Sequence, residues 1–213
     1  MTELALERFG SDERILLHEL NHRINNEFAA AINLVSLAAT RSRDENVKAA
    51  LSGVREMLHH YADVHHALQM PENDMPIDAA IYLHRLCLSI SRSKLDHREI
   101  RLVLSVQLLP LQAQRCWRLG MIVNELITNA ARHAFAGGSG EIRVTVCRDG
   151  EFVKCSVKDN GSAASNIRLG QGLRIAERLS SALGGRIEQK FGPCGSAAAL
   201  IFPYDGGPGR LPV

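Results

Sequence analysis

The sequence predicts an α+β protein in two parts: a helical hairpin that forms a dimeric four-helix bundle, followed by an α/β sandwich. Three observations carry this. From about Ser11 to Arg41, Leu17, Leu20, Ile24, Phe28, Ala31, Val35 and Ala38 are spaced by three or four, with no Gly or Pro between them. Next, Val47, Leu51, Val54, Leu58, Tyr61, His65 and Leu68 form a heptad seam with alternating steps of four and three. Beyond Pro76, segments of alternating polarity are interleaved with helical ones.

Taken in order, residues 1–10 read as a short leader. Ser11-Asp12-Glu13 reads as an N-cap with an acidic first turn. Two amphipathic helices joined by a break near Arg43-Asp44 make an antiparallel hairpin. One hairpin leaves much of its apolar surface exposed. A second copy would bury it in a four-helix bundle, as would the rest of the same chain by packing on it. This hairpin is assigned to residues 11–70, and Pro71–Pro76 reads as a linker. The second part is assigned to residues 76–204. There Ile77–Leu95 reads as a helix, Glu99–Val106 as a strand and Leu111–Phe135 as a helix. Glu141–Arg148 and Phe152–Lys158 form a hairpin around Asp149-Gly150. Gly172–Leu183 is helical with a Gly184-Gly185 C-cap, and Arg186–Phe191 and Ser196–Phe202 are further strands. Helices on one face of a mostly antiparallel sheet give the sandwich.

Composition narrows the function classes. The chain has 213 residues, 46% of them hydrophobic and 23% charged, which describes an ordinary globular protein. A formal net charge of +2 argues against a general nucleic-acid or membrane surface. Cys87, Cys116, Cys147, Cys155 and Cys194 are scattered, as expected of a reduced, cytoplasmic chain. There is no signal-peptide pattern and no apolar run near the roughly 20 residues that span a bilayer, so a membrane-anchored sensor within this chain is not expected.

Chemistry concentrates in Asn124–His133. Leu119, Ile122, Val123, Leu126, Ile127 and Ala130 mark a buried stripe. Glu125, Asn129, Arg132 and His133 form a second stripe at i, i+4, i+7 and i+8. A carboxylate and an amide one turn apart offer oxygen ligands of the kind Mg²⁺ prefers, and a cation one turn further can meet phosphate. In the first helix His22 lies two positions from both Leu20 and Ile24, so it points off the apolar seam. His18, Asn25 and Asn26 share its face. A neutral imidazole so exposed is a good nucleophile toward a phosphoryl group. His59, His60, His65 and His66 read as surface and seam histidines rather than a metal set.

The Asn124–His133 stretch resembles the N-box of histidine kinases, within the wider ATPase superfamily that includes type II topoisomerases and Hsp90 chaperones. Val157-Lys158-Asp159-Asn160-Gly161 resembles the G1 box, Gly170-Gln171-Gly172-Leu173 the G2 box, and Gly195-Ser196 the last G box. Leu17–Asn26 resembles an H-box with a His-Arg-x-x-Asn phosphoacceptor motif. The elements occur in the family's order and cover nearly the whole chain. The resemblance implies a histidine-kinase-like ATPase domain that uses ATP and Mg²⁺. Asn129 would be a Mg²⁺ ligand, Glu125 a metal ligand or polarising base, and Arg132 a phosphate contact. Asp159, with Gly161 beside it, would read the adenine amino group, and Gly170 and Gly172 would cradle phosphate. His22 would be the phosphoacceptor, with His18 as backup. The implied partners are a second copy, a response regulator receiver domain and a separate sensor.

Departures from the pattern are local. Ala163 replaces a usual glycine, and only Ser162–Leu169 separates Gly161 from Gly170, so the lid over the nucleotide is short. Ser196 replaces the usual Thr and Asn25 a common lysine. The related class defined by a His in the N-box and a Trp-x-Glu element does not fit, because position 124 is Asn and Trp117 is the only tryptophan. The expected function is a two-component histidine kinase that autophosphorylates His22 and passes the phosphoryl group to a regulator. The alternative is a histidine phosphotransferase with a degenerate nucleotide site. A serine-kinase or chaperone-type ATPase is disfavoured by the His22 helix.

Overall fold

The structure is a computed structural model. It describes the chain except residues 1, 72–74, 136–137, 163–170, 193 and 205–213; at residues 2–15, 17, 18 and 171 it describes the backbone only. The chain divides into two compact units, Met1–Gln69 and Met70–Val213.

The first unit is a hairpin of α1 (Thr2–Arg41) and α2 (Glu45–Ala67). The helix begins well before Ser11, so the expected leader and N-cap are corrected. Leu4, Ala5, Leu6 and Glu7 are good helix formers, and Gly10 costs only about 1 kcal/mol inside a helix. Asp44 starts α2, its side chain accepting from Asn46 N at 2.8 Å, a cap that contributes on the order of 1 kcal/mol. Ile24, Phe28, Ala31 and Val35 are half-buried, as are Leu51, Leu58 and His65. The His65 ring lies 6.1 Å from that of Phe28, and its Nδ1 is 3.3 Å from Asn25 Oδ1. The other half of the α2 seam, Val47, Val54 and Tyr61, stays exposed, as do Leu20, Leu34 and Leu37 on α1.

The second unit begins with β1 (Pro76–Asp78) and α3 (Ala79–Ile90). A π-helical turn, Ser91–Leu95, and a 3₁₀ turn, Asp96–Arg98, lead to β2 (Ile100–Val106) and β3 (Pro110–Gln112). Then come α4 (Ala113–His133), β4 (Gly140–Asp149), β5 (Phe152–Asp159), α5 (Gln171–Ala182), β6 (Arg186–Gly192) and β7 (Gly195–Pro203). The expected helix from Ile77 is corrected. Ile77 pairs with Leu111 in a two-stranded ladder, and the helix starts only after Asp78. Asp78 Oδ1 accepts from Ala80 N at 2.9 Å and Leu109 N at 3.2 Å, so one carboxylate caps α3 and pins the approach to β3. Leu111 and Gln112 likewise belong to β3 rather than to the following helix.

The main sheet has the order β2-β4-β5-β7-β6. Only β2–β4 is parallel; the other neighbours are antiparallel. Gly150 adopts φ +60 in the two-residue loop between β4 and β5, and Gly184 at φ +71 ends α5 with Gly185 N donating to Ser180 O at 2.8 Å. Leu83, Leu86 and Ile90 of α3, Ile122 and Ile127 of α4, and Ile142, Val144, Leu200 and Phe202 of the sheet are fully buried and form the core. The apolar stripe of α4 is thus the face turned inward. Its opposite stripe is free to line a site.

Candidate functional site

The α4 stripe lines a cavity of about 250 Å³ in the second unit. Glu125, Asn129, Arg132 and His133 contribute from α4, Asp159 from the end of β5, Gly172 and Leu173 from the start of α5, and Ser196–Ala198 from β7. Four sequence segments that look unrelated in the chain therefore meet at one place.

Asp159 is buried at the end of its strand. Its Oδ1 accepts from Gly161 N and Ser196 N, both at 3.1 Å, and its Oδ2 accepts from the Ser196 hydroxyl. A carboxylate offers about four acceptor sites, so three donors orient it and leave capacity for a further donor from the cavity. Glycines make this packing feasible. A side chain at Gly161 would clash with the Ala134 carbonyl, and one at Gly195, held at φ +125, would clash with the Asp159 carbonyl. Asn160 turns away to brace the sheet, its Oδ1 accepting from Glu141 N at 2.7 Å. On the other wall, a Cβ at Gly172 would collide with Glu125 Oε2. This glycine lets the first turn of α5 approach the carboxylate of α4. Gly170, the other expected phosphate-cradle glycine, and Ala163 lie outside the described residues.

The expected residues do not all converge. Glu125, Asn129, Arg132, Asp159 and Gly172 line the cavity, and Gly161 supports it from beside Asp159. His22 belongs to the first unit. It is exposed on α1, with Nδ1 3.2 Å from Asn26 Nδ2. Arg23 next to it pairs with Glu19 at 2.8 Å, both side chains exposed. The His18 side chain lies outside the described residues.

Sequence reasoning missed part of the site. Lys94, on the π-helical turn, donates to Asn124 Oδ1 and Thr128 Oγ1, both at 3.2 Å. Burial lowers the pKa of its ammonium, the Glu125 carboxylate opposes that shift, and Arg132 adds to it. Gln189, Phe191, Ala197 and Ala198 also line the cavity. The run Ala197-Ala198-Ala199 was the available signal, since small side chains on a strand leave room above the sheet.

Oxygen donors on one face of α4, a buried carboxylate at a strand end and a glycine-supported helix start define a class: an ATPase-like α/β unit joined to a helical hairpin bearing an exposed histidine. The comparisons give the family. Residues 19–94 match the family model described as histidine kinase, and residues 92–191 match that of the histidine kinase-like ATPase domain. Together these models span residues 19–191, and the chain belongs to the histidine kinase family. It is 23% identical over 205 residues to blue-light-activated histidine kinase 2 of Erythrobacter litoralis, covering 88% of this chain and 56% of that protein. It is 26% identical over 147 residues to the sensor histidine kinase PdtaS of Mycobacterium tuberculosis, covering 68% of this chain and 29% of that one. The chain thus spans little more than half the length of the first relative and less of the second. In fold it is similar to the histidine kinase domain of the Erythrobacter litoralis EL346 blue-light-activated kinase, with a TM-score of 0.60 at 19% identity over 83% of this chain and 96% of that one. No helix among the described residues is long and apolar enough to cross a membrane.

Proposed function

We propose that the chain is the catalytic part of an ATP-dependent protein-histidine kinase. The observation that carries this is the convergence of Glu125, Asn129, Arg132, Asp159 and Gly172 on one cavity. Asp159 accepts the adenine amino group, its carboxylate already oriented by Gly161 and Ser196. Phe191, 53% exposed at the cavity wall, offers a flat apolar face to a purine. Arg132 meets phosphate oxygens, and the backbone at the start of α5 faces the triphosphate as helix N-termini do. Glu125 and Asn129 present two oxygen donors from one helix face, which suits a hard cation that keeps most of its ligands as water and phosphate. When bound there, Mg²⁺ supplies charge neutralisation along the triphosphate.

In the reaction a neutral imidazole nitrogen of His22 attacks the γ-phosphorus. The bond to the β–γ bridging oxygen breaks, ADP carries away the electron pair, and the imidazole proton passes to solvent or base. The phosphoryl group then moves to an aspartate of a receiver domain. A second copy of the chain would bury the exposed apolar residues of α1 and α2, making the active form a homodimer. The structure of full-length ShkA in complex with AMPPNP shares this fold at a TM-score of 0.53 and supports assigning a nucleotide to the cavity.

Calorimetric titration with Mg-ATP tests the proposal. The wild-type chain is expected to bind. Asn129→Asp is expected to abolish binding while leaving the circular dichroism unchanged, because a carboxylate beside three phosphates adds repulsion. Asp159→Asn is expected to weaken it about tenfold or more, the loss typical of a charge-assisted hydrogen bond. Wild-type affinity in both variants would remove these residues from the site. Phosphate uptake only from a phosphorylated receiver, without ATP binding, would instead mark a phosphotransferase.

A further inference from the structure

Lys94 reaches α4 yet is not among the residues lining the cavity, and the proposed reaction does not use it. Its surroundings give it a defined task. Asn124, buried on α4, has an amide that can stand either way round. An ammonium only donates, so contact with Lys94 at 3.2 Å fixes the amide with Oδ1 toward the lysine. Nδ2 then faces Glu125 and lies 3.5 Å from its Oε1. The same ammonium donates to Thr128 Oγ1 at 3.2 Å. That hydroxyl keeps its own proton free to donate, and Thr128 lines the cavity one turn beyond Asn124.

The π-helical turn brings Lys94 to this point. One residue before it, fully buried Ser93 donates back to Ser89 O at 2.8 Å and so helps hold the widened turn. Leu95, one residue after it, is fully buried in the core. The lysine is therefore anchored on both sides and aimed at α4. A half-buried ammonium is costly unless it is compensated. Here two neutral oxygens and the nearby Glu125 carboxylate offset part of that cost.

We propose that Lys94 is a positioning residue of the phosphoryl-transfer site, orienting the Asn124 amide so that it holds the Glu125 carboxylate in place. This rests on the assignment of the cavity to Mg-ATP and of Glu125 to the reacting end of the nucleotide. Outer partners of this kind set the orientation of the groups that touch the metal and substrate, and their loss typically costs about 10- to 100-fold.

The test compares the full chain with Lys94→Met and Lys94→Arg. Autophosphorylation is measured across ATP concentrations, and the Asn124 side-chain amide is followed by proton–nitrogen NMR without nucleotide. Lys94→Met is expected to lower kcat at least about tenfold while KM for ATP changes less than about threefold. It is also expected to move the Asn124 amide signals, and Lys94→Arg is expected to recover most of the rate by restoring a donor cation. Wild-type kcat in Lys94→Met overturns the role. So does a fall in kcat with the Asn124 signals unmoved, or a rise in KM that accounts for the whole loss. If Lys94→Met fails to fold by circular dichroism, Lys94→Gln is read by the same criteria. A wild-type chain that binds no Mg-ATP overturns the nucleotide assignment and this role with it, whereas a normal rate in Lys94→Met overturns this role alone.

Discussion

The two units bury their apolar residues in opposite ways. In the second unit, α3, α4 and α5 and the five-stranded main sheet enclose a core in which Leu83, Ile90, Ile122, Ile127 and Phe202 are fully buried. In the hairpin, Val64 alone is buried among the described residues, while Leu34 is 68% exposed and Val54 48%. The second unit encloses its own core, whereas the hairpin leaves large apolar side chains exposed. The difference maps onto the proposed chemistry. A nucleotide site needs a rigid frame that holds Asp159 and Glu125 to hydrogen-bond tolerance. A phosphoacceptor such as His22 needs access, and an exposed helix supplies it.

The largest effect is expected from breaking the hairpin's outer face. Leu34→Glu combined with Val54→Glu puts charges where a second copy would pack. Light scattering should give a monomer, with Mg-ATP binding by the second unit retained. An unchanged dimer mass would mean that another surface holds the two copies together. Leu51→Glu and Leu58→Glu sharpen the point, because these half-buried residues should cost the hairpin itself as well as the dimer. The converse variant is Ile122→Ala. It opens a cavity in the second unit's core and should cost about 2–5 kcal/mol in denaturant unfolding of that unit. Loss of hairpin helicity in step with it would show that the units are not independent.

A smaller effect is expected from pH. Burial, with a lesser contribution from His66, lowers the pKa of His65 below its usual 6.5. The folded hairpin therefore binds fewer protons there than the unfolded one. Its contribution to stability is complete above about pH 6.5 and is lost as pH falls from there through the folded value. Hydrogen exchange over residues 58–68 should accelerate across that window in the wild-type chain and not in His65→Gln. Equal acceleration in both would assign the effect to another group.

How much of this was legible in the sequence depends on range. Local patterns read well. The α4 stripe, the β4–β5 turn at Gly150 and the α5 stop at Gly184 each follow from a few neighbouring residues. Pairings between distant segments did not. Ile77 continues a helical pattern on its own, and only its ladder with Leu111 makes it a strand. The parallel pairing of β2 with β4 likewise needs the fold to exist first. The same holds inside the site. Glu125, Asn129 and Arg132 declared themselves by spacing on one helix. Lys94 did not, because it lies 30 residues from Asn124 and reaches it through a π-helical turn that its sequence, Ser-Arg-Ser-Lys-Leu, does not announce.

The central claim is that Mg-ATP held in the second unit's cavity phosphorylates His22 in the first. Its most direct test is incubation of the wild-type chain and His22→Ala with γ-labelled ATP and Mg²⁺, followed by acid treatment and mapping of the labelled peptide. The account predicts acid-labile label on the peptide containing His22 and none in His22→Ala, with His18→Ala still labelled. Acid-stable label, or label that survives His22→Ala and disappears in His18→Ala, would contradict it.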